Sequence, residues 1–127
     1  MQIFQGIDLV KVERIKKIYS KFEYRFLEKL FSKKEIEQIV KSGKNEIIKI
    51  AGKFSCKEAA AKALGTGISK GLTFKDFEIL TTTSGQPKIN LKGKAKKIIQ
   101  NIESSNVSIS HDGEYLVSVV TFLAEKK

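Results

Sequence analysis

The run Phe54-Ser55-Cys56-Lys57-Glu58-Ala59-Ala60-Ala61-Lys62-Ala63-Leu64-Gly65-Thr66-Gly67 constrains this chain more than any other segment, because it reads as a helix that carries a carboxylate on its apolar side and exits through glycines. At about 100° per residue, Glu58 falls within roughly 40° of Ile47, Ala51 and Phe54, the residues that mark the buried stripe. An unpaired carboxylate is costly to bury, so Glu58 should meet a cation. Lys62 at i+4 is one candidate and a bound metal ion is another. A purely structural Glu58–Lys62 pair is the alternative that carries no chemistry.

A chain of 127 residues, 41% hydrophobic and 30% charged, has the makeup of one soluble domain over residues 1–127 with a single core. Such a chain buries only about two-thirds of its unfolded surface, so a small-molecule site is expected to be completed by a neighbouring subunit. The lone cysteine, Cys56, cannot form an internal disulfide and sits among alanines as a small core residue. No apolar run reaches about 18 residues, and Gln2, Gln5 and Asp8 exclude a signal-peptide core. The expected location is cytoplasmic, with no membrane partner.

The formal net charge of +10 implies an acidic partner. The lysines are spread along the chain, without RNP-like aromatics or zinc-ligand spacing, so sequence-reading of nucleic acid is not expected. A basic module for RNA or another phosphate-rich polymer remains the alternative, with the lysines acting and the carboxylates structural. It predicts salt-sensitive binding without magnesium dependence.

Gln2 to Val10 reads as a strand with Asp8 at its end, and Val12, Ile15, Tyr19 and Phe22 then recur at helical spacing. Ser32 and Glu35 form a capping box for a helix carrying Ile36, Ile39 and Val40, and Asn45 or Glu46 opens the long helix to Leu64. Leu72 to Thr82 alternates as a strand with a phase shift at Phe77. Ser84 to Pro87 is a turn, Ile89 and Leu91 make a short strand, Lys94 to Ile102 a short basic helix, and Val107 to Ser110 a strand delivering His111. Asp112-Gly113 signals a hairpin turn into a long strand from Tyr115 to Phe122. Grouped helices with antiparallel strands around them give an α+β fold: an antiparallel sheet, a long central helix and short helices.

Asp8, Glu58 with Lys62, and His111 are the groups that stand out for chemistry. Each alone has a bland reading: a strand-end Asp as a cap or turn former, a strand-end His as a surface residue. Together, two separated carboxylates converging with phosphate-binding groups suit magnesium, which takes few protein ligands and leaves the rest to water and substrate phosphates.

These residues resemble the bacterial holo-acyl-carrier-protein synthases, which are 4′-phosphopantetheinyl transferases. Gly6-Ile7-Asp8-Leu9-Val10 with Glu13-Arg14-Ile15, Ala51-Gly52-Lys53-Phe54, Lys57-Glu58-Ala59, Lys62-Ala63-Leu64-Gly65-Thr66-Gly67 and Ser108-Ile109-Ser110-His111 are similar to that family's motifs in order and spacing. Phe26-Leu27 and Gly85-Gln86-Pro87 fit its pattern as well, so the resemblance covers nearly the whole chain.

The resemblance implies transfer of 4′-phosphopantetheine from coenzyme A to a serine of acyl carrier protein, for fatty acid biosynthesis, with release of adenosine 3′,5′-bisphosphate. It implies Mg2+ on Asp8 and Glu58, catalytic roles for Glu58, Lys62 and His111, and coenzyme A contacts from Lys53, Lys62, Gly65, Thr66, Gly67, Pro87, Ser110 and His111. The base is either a metal-bound water or Glu58. The resemblance further implies a homotrimer with shared active sites, its long terminal strand near the three-fold axis, and docking of the acidic carrier protein on Arg14, Lys21 and Arg25. Lys53 stands where the family usually has arginine, which removes bidentate phosphate geometry and keeps the charge.

Overall fold

In the computed structural model, which describes residues 1–127, strand β1 (Gln2–Lys11) passes directly into helix α1 (Val12–Phe22). Three more helices follow: α2 (Tyr24–Leu30), α3 (Lys33–Lys41) and the long α4 (Glu46–Ala63). A hairpin of β2 (Phe77–Thr81) and β3 (Pro87–Leu91) leads to two long strands, β4 (Ile99–Asp112) and β5 (Tyr115–Lys126). The fold is α+β, as the sequence predicts.

Local chemistry sets most of these boundaries. Ser32 accepts from the Glu35 backbone N–H, and Glu35 accepts in return from the Ser32 N–H, so the capping box at α3 is complete. Helix α4 ends where Gly65 and Gly67 take φ of +83° and +64°, a conformation that side chains with a Cβ resist.

Four expectations need correction. The first strand runs on to Lys11, so Asp8 lies inside it rather than at its end. The segment before Phe77 is a 3-10 turn, Phe74–Asp76, closed by Thr73 and Asp76, because that local capping box competes with extension of the strand. Lys94–Ile102 is a single 3-10 turn (Ala95–Lys97) followed by strand, since the chain pairs with β5 from Ile99 onward. The hairpin loop is Gly113-Glu114, one residue later than Asp112-Gly113, and Asp112 pairs with Tyr115. Helix α2 has no sequence signal, its seven residues being too few to establish a period.

Strands β1, β5 and β4 form one antiparallel sheet in that order, with β5 central. The β5 residues Leu116, Ser118, Val120, Phe122 and Ala124 are buried and alternate with half-buried neighbours, so one face of the sheet is covered. Helix α4 covers it. Gly6 permits this contact: a Cβ there would stand 1.9 Å from the Ala59 carbonyl oxygen and 2.6 Å from the Ala63 nitrogen. The strand therefore lies almost backbone to backbone against the helix.

Where a single core is expected, the apolar residues form two clusters. One gathers Val10, Ile15, Leu27, Ile39, Ile50 and Leu116 around the first half of α4, and the other gathers Cys56, Phe77, Ile79, Val120 and Phe122 around the second. Buried polar residues of α4, Lys53, Ser55 and Lys57, lie between Ala51 and Cys56 or beside it and interrupt the apolar run.

Those lysines serve the edge of β2. Lys57 donates to the Glu35 carboxylate at 2.9 Å, to the Phe74 carbonyl at 2.9 Å and to the Phe77 carbonyl. Lys53 donates to Gln38 Oε1 and the Ile79 carbonyl, while Glu35 and Gln38 accept from the Ile79 and Thr81 N–H groups. Side chains of α3 and α4 thus replace the missing strand beside β2, and no backbone edge is left open there.

Candidate active site

Asp8 and Ser118 are cross-strand partners, so both project from the covered face of the sheet toward α4. The close approach at Gly6, two residues earlier on the same face of β1, carries Asp8 against the helix. There Asp8 Oδ1 lies 3.2 Å from the Lys62 ammonium and Oδ2 accepts from Ser55 at 2.9 Å. Lys62 also donates to the Ile7 carbonyl at 3.1 Å and keeps 51% of its side chain exposed, against 14% for Asp8. The spot is open to solvent on the lysine side.

Glu58 sits one helical turn before Lys62, half-buried, and makes no hydrogen bond or ion pair. Burial pushes its carboxyl above the ordinary value, the Asp8 charge adds to this, and Lys62 partly opposes both. The expected Glu58–Lys62 pair is not formed: Lys62 turns to Asp8. The cluster therefore holds two carboxylates and one ammonium, and one of the carboxylates, Glu58, has no partner.

That donor set fits magnesium. No group of three or more His, Cys, Asp or Glu side chains gathers anywhere in the chain, so a closed protein cage is not what these residues build. Two carboxylates facing an open side match an ion that keeps waters and takes phosphate oxygens from a substrate.

The other sequence-predicted residues fall into separate places. A hollow of about 200 Å³ is lined by Lys49, Lys53, Gly85, Pro87, His111 and Leu116 among others, and none of Asp8, Glu58 or Lys62 lines it. His111 Nε2 lies 3.1 Å from the Gly113 carbonyl. The Lys53 ammonium, buried against Gln38 and Ile79, has its pKa lowered to about 8, chiefly by burial. Ser110 pairs with Val117, which places it on the opposite face of the sheet from His111, the partner of Leu116. Gly65, Thr66 and Gly67 form the exit turn of α4, where Thr66 and Gly67 donate to the Ala61 carbonyl. The chain thus presents two separate places, an acidic cluster and a basic hollow.

Arg14 and Lys21 are exposed on α1, and Arg25 is exposed on α2. Arg25 and Lys29 also line a mostly apolar hollow of about 530 Å³ with Phe22, Phe26, Phe54 and Phe74. Phe54 lies one turn before Glu58, so this hollow adjoins the acidic cluster along α4.

The site contains residues that the sequence alone does not point to. Ser55 and Ser118 contact Asp8 or each other, and the one visible signal is a serine among the apolar inward positions of β5. Glu35 and Lys57, both fully buried, hold the helix that carries Glu58.

Comparison with known proteins places this arrangement in context. The profile described as the 4′-phosphopantetheinyl transferase superfamily matches residues 5–120. The chain is 46% identical over 121 residues to the holo-[acyl-carrier-protein] synthase of Caldanaerobacter subterraneus, covering 94% of this chain and 93% of that one. The Helicobacter pylori holo-[acyl-carrier-protein] synthase, solved in complex with coenzyme A, superposes with a TM-score of 0.80 at 37% identity, over 94% of this chain and 99% of that one. A Bacillus anthracis holo-(acyl-carrier-protein) synthase in complex with coenzyme A (3′,5′-ADP) gives 0.78 at 29% identity, over the whole of both chains.

Proposed function

This chain belongs to the 4′-phosphopantetheinyl transferase superfamily, and from that premise we infer that it acts as a holo-acyl-carrier-protein synthase. It transfers the 4′-phosphopantetheine arm of coenzyme A to a serine of apo acyl carrier protein. The serine oxygen bonds to the phosphorus bearing the arm, the P–O bond of the pyrophosphate breaks, and adenosine 3′,5′-bisphosphate leaves. The hydroxyl proton passes to a base.

The observation that carries this reading is the convergence of Asp8 and Glu58, distant in sequence, beside Lys62 on an open side of α4. In our reading these two carboxylates would hold Mg2+, which would supply positive charge near the pyrophosphate. Glu58, lacking any partner, offers free carboxylate oxygens to ion or proton. Lys62 places its ammonium beside Asp8, where it can compensate the leaving phosphate.

We assign the nucleotide end of coenzyme A to the hollow of Pro87 and His111, with Lys53 contributing charge from its floor; Ser110 and the Gly65-Thr66-Gly67 turn lie outside that hollow and are assigned to the rest of coenzyme A. Because that hollow and the acidic cluster lie apart in one protomer, the complete site in this reading is shared between neighbours. The outer face of the sheet supports such an assembly. Ile3, Ile7 and Leu9 are 69%, 59% and 63% exposed there, in register with Leu123, Val119 and Val117 of β5. This face, apolar except for the Gln5–Thr121 pair, calls for a cover, and a homotrimer packed through it is our proposal.

The carrier protein, an acidic partner, is proposed to dock on Arg14, Lys21 and Arg25, beside the apolar hollow of Phe22 and Phe26. Basic residues around an apolar groove suit an acidic amphipathic helix. No helix is long and apolar enough to cross a membrane. We assign the reaction to the cytoplasm and to fatty acid biosynthesis, consistent with a free, buried Cys56 whose thiol is pushed up to about 12 by burial.

The test is mass spectrometry of apo carrier protein after incubation with this protein, coenzyme A and magnesium. A gain of one phosphopantetheine, lost on chelation, is expected. An unmodified carrier protein under these conditions rejects the assignment.

A further inference from the structure

Ser55 of α4 and Ser118 of β5 are both fully buried, and their Oγ atoms lie 2.7 Å apart. Ser118 is the only polar residue among the inward positions Leu116, Ser118, Val120, Phe122 and Ala124. A buried hydroxyl in such a row is unfavourable unless it is hydrogen-bonded. Ser55 Oγ in turn lies 2.9 Å from Asp8 Oδ2.

The direction of this chain of bonds follows from proton count. An ionised carboxylate only accepts, so the single Ser55 proton goes to Asp8. The Ser55 oxygen is then left to accept, and the Ser118 proton goes to it. The order Ser118 to Ser55 to Asp8 gives the Asp8 oxygen a proton and uses both hydroxyls. Oδ2 is thereby held on the buried side, and Oδ1 is turned toward Lys62 and solvent.

We propose that Ser55 and Ser118 are positioning residues that fix the Asp8 carboxylate so that Oδ1 is presented to the metal ion and the substrate phosphates. This rests on the reading of Asp8 as a metal ligand. Outer hydrogen bonds of this kind orient a ligand before the ion arrives, which raises affinity without touching the ion. A pair of serines that merely fills space predicts instead that variants of equal volume behave as the parent.

The experiment measures Mn2+ binding by electron paramagnetic resonance in the presence of coenzyme A, alongside the magnesium concentration for half-maximal turnover and the melting temperature. Ser55→Ala is expected to weaken Mn2+ binding roughly tenfold, the scale of one hydrogen bond to a charged group. Ser118→Ala should weaken it by a smaller factor, Ser55→Thr should restore it, and the KM for carrier protein should stay constant. Ser55→Cys keeps the volume with a weaker donor and covers the case in which the alanine variant does not fold; weakened binding at unchanged melting temperature is expected. Parental Mn2+ affinity in folded Ser55→Ala or Ser55→Cys, with binding lost in Asp8→Asn, overturns the positioning role and leaves Asp8 as ligand. Parental affinity in Asp8→Asn as well overturns the reading of Asp8 itself, and the positioning role with it.

Discussion

Lys57 and Glu58 are neighbours on one helix, yet they belong to opposite regimes of electrostatics. Lys57 is fully buried with three acceptors, the Glu35 carboxylate and the carbonyls of Phe74 and Phe77, so each of its protons has a partner. Glu58, about 100° round the helix, is half-buried with none. Burial lowers the lysine's pKa against the opposing pull of Glu35, whereas burial and Asp8 raise the glutamate's. A fully satisfied charge makes structure, and a charge left unsatisfied at an open edge is available to a ligand. The helix needs the first kind to hold the second in place.

The comparison breaks most visibly on the acidic side. Asp8→Ala and Glu58→Ala are expected to lower turnover by about two to three orders of magnitude; the melting temperature should hold or rise in Glu58→Ala, which removes a half-buried carboxylate without a partner, and fall slightly in Asp8→Ala, which leaves Lys62 and Ser55 without their acceptor. Carrier-protein mass analysis and a thermal melt check both halves. Next in size, Lys57→Met should destabilise the fold by about 3–5 kcal/mol in urea, because Glu35 is left buried and unpaired. The double variant Glu35→Gln with Lys57→Met should lose less than the two singles added together. Equal losses of stability in the Glu58 and Lys57 variants would erase the distinction.

Lys53 sharpens it by pH. Its folded pKa, about 8, lies below the ordinary 10.5, so between these values the unfolded chain binds more protons than the native one. Stability should therefore rise with pH from about 8 to 10, by at most about 3 kcal/mol for a displacement of that size. Tyr19 works the other way above pH 10: its hydrogen bond to Glu46, aided by burial, raises its pKa to about 12, and the stability it adds is lost as it ionises in the native state. Urea titrations of the parent and of Lys53→Met across this window isolate the lysine. The slope should be smaller in the variant, with the part due to Lys57 remaining.

Gly6 links the two regimes. An alanine there meets the backbone of Ala59 and Ala63, which cannot move aside as a side chain tip would. Gly6→Ala should destabilise by about 1–3 kcal/mol and lower turnover more than that loss alone explains, because β1 would carry Asp8 away from Lys62 and Glu58. Turnover falling only in proportion to the unfolded fraction would sink the second half.

Much of this is readable before folding. The capping box at Ser32, the helix ending in Gly65 and Gly67, and the hairpin after His111 are local signals, and local signals survive into the structure. Asp8, Glu58 and Lys62 stand out as charges in apolar patterns and do meet. The Glu35–Lys57 pair is hidden because its members lie on different helices, and nothing in either segment says which lysine of α4 turns inward. The same limit hides Ser118, which matters only through the register β1 shares with β5. Lys94 to Ile102 misleads for the opposite reason: its spacing suits a helix, and pairing with β5 overrides it.

The smallest expected effect belongs to a third kind of charge, one with neither a buried partner nor an open carboxylate nearby. Arg14 is exposed on α1, and its side chain makes no hydrogen bond or ion pair in the fold. Its contribution is expected at encounter with an acidic carrier protein, where exposed pairs are worth about 0.2–1 kcal/mol and long-range attraction adds to the association rate. Arg14→Glu should raise the KM for carrier protein by roughly two- to fivefold, on the scale of such pairs, and flatten its dependence on salt, with kcat and the KM for coenzyme A unchanged. Kinetics at two ionic strengths measure both. A change confined to coenzyme A would move Arg14 from the docking surface to the nucleotide side, and α1 would then present its basic face to the wrong substrate.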